Sequence, residues 1–551
     1  MSQRVRAIAV SCLFLLAVST VVMGVVRKKR KPSDTRVHLV HADKLYYNMR
    51  ENPLAQILVG NVRFSHEGTL MYCDSALYYE ASNSFDAYGH VRMVQGDTLT
   101  LTGEVLYYDG MDQLAKVREN VVLRHRGTTL YTDSLDYDRL YSLGYFFDGG
   151  RLVDQQSQLT SDWGEYSPQT REAIFNYNVV LVNPLPPARA KSTLVTDTLH
   201  YNTGTGVAVA LGPSNIDHGQ NHIYTEHGVY NTRTDHSYVL DRSILQNGYK
   251  HVVGDSVTWD GKEKICRAYG NAIYTDTLNR NKFSGNYIMY NDSLGYAEAA
   301  DSAMVMDYSQ GDTLYAHADS FFLHTIYANT DSMYRMLFAY PRVRAFRKDI
   351  QAVCDSLVYN GRDSLAVMYK DPIVWQGNQQ LLGEKIMVWH NDSTVDSAHV
   401  VNQALSVERL DSVHYNQVSS NEMYAYFRDG DINMTEANRN VYVVYYPYDD
   451  DSLMIGMNYV ESSLMRMWLK ERKVSRIWMP AATGTMYPLS QAPADRRFLN
   501  NFAWFDYIRP KDPQDIFNYR GKKAGTELKE TVRHAAPRQT LQGVKDKLKE
   551  N

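Results

Sequence analysis

The chain has 551 residues, with 58 Lys and Arg against 62 Asp and Glu and a formal net charge of −4. That balance excludes the overall basic character of a nucleic-acid binder. The four cysteines, Cys12, Cys73, Cys266 and Cys354, lie too far apart for a C-x-x-C metal site or a disulfide framework.

Residues 1–31 read as a signal peptide or N-terminal membrane anchor. Arg4 and Arg6 precede an uncharged run over 7–26, long enough to cross a bilayer, and Arg27-Lys28-Lys29-Arg30-Lys31 follows it. The expectation is export to the periplasm, with the run either cleaved or kept as an inner-membrane anchor, or association with the outer membrane. The basic cluster fits least, because positive charge favours the cytoplasmic side.

From residue 37 to about 445 one unit recurs. Leu130–Asp138 shows it: an apolar residue, an acid three places on, and an aromatic four places beyond the acid. Other copies are Val40/Asp43/Tyr47, Met71/Asp74/Tyr78, Leu159/Asp162/Tyr166 and Val252/Asp255/Trp259, and weaker ones are Ala316/Asp319/Leu323, Ala352/Asp355/Tyr359 and Leu381/Glu384/Val388. The central position falls at 43, 74, 103, 133, 162, 197, 226, 255, 286, 319, 355, 384 and 422, a period of about 30 residues that marks a repeat architecture. Length alone would suggest about three or four domains, but stacked units need no single deep core.

Each copy holds two strand-like runs. Gly60-Asn61-Val62, Gly89-His90-Val91 and Gly270-Asn271-Ala272 introduce the second run, and Val62-Arg63-Phe64 alternates apolar and polar. Such patterning predicts half-buried antiparallel strands. The apolar and aromatic positions are seven apart, an odd number that puts them on opposite faces of a straight strand. A bend or bulge at the acid would turn both inward, with the acid as a corner hydrogen-bonder.

Beyond residue 448 the character changes. Asn458 with Glu461 offers a capping box, and Val460, Leu464, Met467 and Trp468 share a helical face, which predicts an amphipathic helix over 458–473. A strand over 474–479 follows. The aromatic stretch 495–519 reads either as a tail packed over the end of the stack or as a docking surface, and 521–551 as a mobile end. The predicted fold class is all-β: an elongated antiparallel repeat stack over 32–215 and 216–447, then a short C-terminal α-helix and extended tail over 448–520.

Catalytic motifs are missing from the sequence. Asp-Ser occurs thirteen times, as in Asp74-Ser75 and Asp355-Ser356, and repetition on that scale belongs to a structural corner. No nucleophile elbow, phosphate loop or dinucleotide fingerprint is present, and His38 and His41 fall on opposite faces of a strand. The reading is therefore a non-enzyme without metal or cofactor. Two facing sheets that do not close would leave an apolar groove able to bury acyl chains, at about 0.8 kcal/mol per methylene. Their terminal strands would be free to pair with a partner.

Ala42-Asp43-Lys44-Leu45-Tyr46-Tyr47, Gly60-Asn61-Val62, Asp133-Ser134-Leu135-Asp136-Tyr137 and Trp163-Gly164-Glu165-Tyr166 resemble the OstA/LptA family of lipopolysaccharide-transport proteins, best over about 37–200. The resemblance implies a periplasmic β-jellyroll groove that shields lipid A acyl chains between the two membranes of a Gram-negative cell. Val62, Phe64, Met71, Val91, Met93, Val121, Leu123 and Leu130 would line it. Lipopolysaccharide, other envelope transport proteins reached through edge-strand pairing, and head-to-tail copies of itself are the implied partners. The greater length, the C-terminal additions and the absence of a terminal aromatic strand set the chain apart from the family's bridge and barrel components. Two other readings stand beside this one: a β-solenoid that binds or degrades polysaccharide, and an envelope scaffold with a filled interior.

Overall fold

A computed structural model describes residues 36–529 except 49, 51–52, 184–191, 292, 310, 329, 392–393, 450, 452 and 471–472. The leader over 1–31 and the final residues 530–551 lie outside the described residues. Contacts divide the chain into two units, 1–155 with 160–174, and 156–159 with 175–551.

The first unit is a meander of long strands, Gln56–His66, Thr69–Tyr79, Ser84–Gln95, Leu99–Asp109, Leu114–His125 and Thr128–Asp138, each antiparallel to the next. His38–His41 and Lys44–Tyr47 pair side by side with the first of them. Each pair of long strands slips in register at mid-length. Val59 opposes Ser75 and Val62 opposes Cys73, so Gly60 and Asn61 together face one residue, Asp74. This is the bulge the odd spacing demands. Burial then changes phase within Thr69–Tyr79, where Met71 and Cys73 point inward before the slip and Ala76 and Tyr78 after it. Gly-Asn is therefore a bulge inside a continuous strand rather than a turn between two strands. Left-handed backbone marks it, with φ of 85° at Gly60 and 48° at Asn61. Each strand folds over at its bulge, and its two arms face each other: the Phe64 and Phe85 rings stack at 4.0 Å across the interior.

The second unit begins in the same way, with Ser192–Asn202, Val207–His218, Asn221–Asn231, His236–Asn247, Lys250–Asp260, Ile265–Asp276 and Asn281–Asn291. Asn281–Asn291 then pairs with two short strands at once, Tyr296–Ala300 and Met304–Asp307. From there the arms run as separate ladders. One passes through Ser320–Ile326, Tyr334–Tyr340, Ser356–Asn360, Leu365–Tyr369 and Lys385–His390. The other passes through Leu314–His317, Val343–Phe346, Ile350–Cys354, Ile373–Gln376 and Gln379–Leu382. Both end on Val395–Arg409, after which Tyr415–Arg428, Asp431–Tyr445 and Met457–Lys470 are long strands again.

The predicted helix over 458–473 is corrected: Met457–Lys470 is a strand, paired through ten residue pairs with Asp431–Tyr445. The partner strand bulges at Arg439-Asn440, opposite Ser463, and that slip lets Val460 and Met467 share one face of a strand. The i, i+4, i+7 stripe was thus equally compatible with a kinked strand, and long-range pairing decided between them. Beyond it, Thr483–Tyr487 is an edge strand, and 488–529 is an extended tail with four three-residue 3-10 turns.

Candidate lipid groove

The acids of the repeats are corner residues. Asp43 accepts a hydrogen bond from Asn61 Nδ2 at 2.9 Å, and Asp255 accepts from Asn271 Nδ2 at 3.0 Å and Arg242 at 3.1 Å. Asp74 meets His90 Nδ1 at 2.7 Å, an interaction that raises the imidazole pKa. A Cβ added at Gly270 would lie 2.5 Å from Asp255 Oδ2, so the carboxylate sits directly over the bulge. A cavity of about 560 Å3 on the outer side of such a corner, lined by Tyr369, Lys370, Glu384 and Lys385 among others, carries both charges and lies outside the apolar interior. Among the described residues no cluster of His, Cys, Asp or Glu could hold a metal ion.

The eight residues expected to line a groove in the first unit come together. Phe64, Met71, Met93, Leu101, Leu123 and Leu130 form one cross-strand row, each directly opposite the next. Val62, Val91 and Val121 stand beside the bulges. All eight are 2% exposed or less. Tyr78, Phe85 and Tyr108 form a facing row from the other arm and fill the space between. A polar seal closes the mouth. Tyr108 Oη lies 2.6 Å from His66 Nδ1, and Arg139, itself buried, donates to Tyr108 Oη and to Thr69 Oγ1 at 2.6 Å. Burial raises the Tyr108 phenol pKa, against the pull of Arg139. Here the interior is occupied by the protein's own side chains.

The long strands of the second unit are likewise closed as far as Tyr290, whose ring lies 5.6 Å from Tyr274. Beyond it the two ladders diverge. Following direct cross-strand neighbours inward from Tyr290 gives Ala297, Leu323, Leu337, Tyr359, Ala366 and Val388 on one wall. Following them from Phe283 gives Val305, Ala316, Ala345, Ala352, Val374 and Leu381 on the other. All twelve are only half-buried. A deeper row, Ala299, Phe321, Ala339, Met368 and Ile386, forms a buried floor. Among the described residues no hydrogen bond or ring contact joins the inner faces of these walls. The cause is side-chain volume. The positions that carry Phe, Met and Leu in the first unit carry mainly Ala and Val on the second wall, too small to reach across.

A wall with so little packed on its inner side needs a core elsewhere, and the tail supplies it on the outer side. Ile373, Trp375, Leu382, Leu405, Val407, Val444 and Met457 are buried beneath Leu499, Phe505 and Ile508. Two buried glutamines fix the tail's main chain, and a third holds the Arg509 side chain. Gln380 donates to Ala503 O at 2.9 Å and accepts from Phe505 N at 2.7 Å and Trp375 Nε1 at 3.1 Å. Gln417 repeats the arrangement on Arg497 O and Leu499 N, and Gln351 accepts from Arg509 Nε. Further along, Arg344 donates to Ile516 O and Phe517 packs on His317 at 4.7 Å. Burial would raise the Asp515 carboxyl pKa, but Arg520 and Asn518 hold it down at about 2. Residues 521–529 are docked too: Lys522 pairs with Asp371 at 2.5 Å, and Leu528 N donates to the same carboxylate. The aromatic stretch thus packs on the outer side of one ladder.

Residues 34–185 match the family model described as OstA-like protein, and residues 144–238 match that described as lipopolysaccharide-assembly, LptC-related. No curated protein matches the chain in sequence. A similar solved structure is LptH from Pseudomonas aeruginosa, titled the LptA homologous periplasmic component of the conserved lipopolysaccharide transport device. It is 14% identical over 21% of this chain and 79% of its own, with a TM-score of 0.18. Among the described residues no helix is long and apolar enough to cross a membrane. Over residues 34–238 the chain is thus similar to the OstA-like and LptC-related lipopolysaccharide-assembly families.

Proposed function

We propose that the chain is a non-enzymatic periplasmic carrier that shelters the acyl chains of lipopolysaccharide on the way to the outer membrane, and that the sheltering site is the groove between the diverging ladders of the second unit. The observation that supports this reading most is the change from a filled interior to an open, apolar, small-residue interior beyond Tyr290. Six strands of one wall, at about 4.8 Å each, give a groove on the order of 24 Å long, enough for a lipid acyl chain. A methylene entering it gains about 0.8 kcal/mol. The family match ends before this segment, so the groove stands on its own geometry.

In this reading the eight residues of the first unit take a guest only if its arms part and the Arg139 seal opens. The filled interior there supports a second role for that unit, as a scaffold. The exposed terminal strands Lys44–Tyr47 and Thr483–Tyr487 support pairing with envelope partners or further copies by strand addition.

The test is uptake of a fluorescent acyl probe by the purified full chain. Ala352→Trp, which fills the groove, is expected to cut uptake at least tenfold while Met93→Leu in the first unit leaves it unchanged. Uptake that survives Ala352→Trp would contradict the assignment.

A further inference from the structure

We propose that the guest is an amphiphile with an anionic head group, and that Arg335, with His390, holds that head group at the groove mouth. The inference rests on the groove reading above and adds the polar half of the ligand.

Arg335 pairs with Thr325 and shares the inward face of its strand with Leu337 and Ala339. It is half-buried, yet among the described residues no hydrogen bond or ion pair engages its guanidinium. A partly desolvated guanidinium with free donors at the edge of an apolar trough is matched to a carboxylate or phosphate, which it grips with two parallel hydrogen bonds.

The same rim carries the rest of a cradle. Gly361 lies opposite Arg335, its N–H donating to Arg335 O at 2.8 Å, and Ser364 closes the same turn, Gly361-Arg362-Asp363-Ser364, with His390 N donating to Ser364 O at 3.0 Å. A side chain at Gly361 would meet Arg335 O at 2.8 Å, so the rim must stay low there. Three strand spacings separate Arg335 from His390, on the order of 14 Å, and the Gly361–Ser364 turn lies between them. His390 stacks on Tyr359 at 5.3 Å. Its Nδ1 lies 3.3 Å from Asn391 O, so Nε2 is the nitrogen left for a ligand. Of the acids on the two rims, Asp363 in that turn is engaged by Asn360 Nδ2 at 2.7 Å, and Asp307 on the opposite wall accepts from Ser309 N at 2.9 Å and Ser309 Oγ at 2.6 Å. Burial raises the Tyr359 phenol pKa, and Asp307 adds to it.

Tetradecyl phosphate and tetradecanol, titrated into the full chain below their micelle concentrations, test the proposal. Arg335→Gln is expected to weaken the alkyl phosphate about tenfold and the alcohol less than about twofold, with Arg335→Lys recovering part of the loss. Equal effects on both probes, or none on either, would overturn it. Weak competition by inorganic phosphate supports a shared anion site, whereas phosphate binding as tightly as the alkyl phosphate would make this a free-phosphate site and overturn the amphiphile. Ala352→Trp separates the two readings. If it abolishes both probes while Arg335→Gln does nothing, only the head-group inference fails; if it spares both, the groove fails.

Discussion

Ala352 and Met71 hold the same place, three residues before the acid of their copies, and end in opposite surroundings. Met71 is enclosed by Phe64 and Met93, its direct cross-strand neighbours, whereas Ala352, between Ala345 and Val374, is only half-buried. Met71→Ala should leave a cavity and lower stability by about 2–5 kcal/mol, read from chemical denaturation. A loss below about 1 kcal/mol would mean that the first interior is not packed. Ala352→Trp fills empty space, so its effect should fall on lipid uptake rather than on unfolding. At the bulges the constraint is backbone. Gly270 has φ of 68° and lies against Asp255, so Gly270→Ala is expected to cost about 1–3 kcal/mol.

At the scale of elements the tail is the unusual part, because it moves the core of one wall to the outside. Gln380→Ala would strip partners from Phe505 N and Trp375 Nε1 and should destabilise docking by about 2 kcal/mol, seen as faster proteolysis of the tail. Docking should also depend on pH through His317. Burial lowers its pKa below 6.5, and Arg344 and Arg342 push the same way while Ala303 O and Asp319 oppose. A base whose folded pKa is depressed favours the folded state above its unfolded pKa and loses that contribution as pH falls. Protease protection of the tail should therefore weaken from pH 7.5 to pH 5, and His317→Gln should flatten the change. The Asp515 contribution should persist through that range and be lost only as pH falls from about 4 toward 2.

For the whole molecule, the all-β class and the bulge at each acid were legible, because a period of about 30 residues and the odd Met71-to-Tyr78 spacing are local facts of sequence. Other features were not legible, for physical reasons. The 457–470 stripe satisfies a helix and a kinked strand equally, and only pairing with Asp431–Tyr445 separates them. The tail's place depends on contacts such as Gln380 with Ala503 and Gln351 with Arg509, 123 and 158 residues apart. The residues expected to line a groove belong to the best-patterned copies, where strong apolar side chains fill the space. The groove proposed above draws on the weaker copies, where Ala316 and Ala352 keep the repeat's phase but not its bulk. The most direct measurement is photo-crosslinking in cells with probes at Leu337 and Val374 on the two walls and at Phe64 and Met93 in the filled interior. Lipopolysaccharide adducts are expected at Leu337 and Val374 and not at the other two. Adducts confined to Phe64 and Met93, or found at none of the four, would contradict the account.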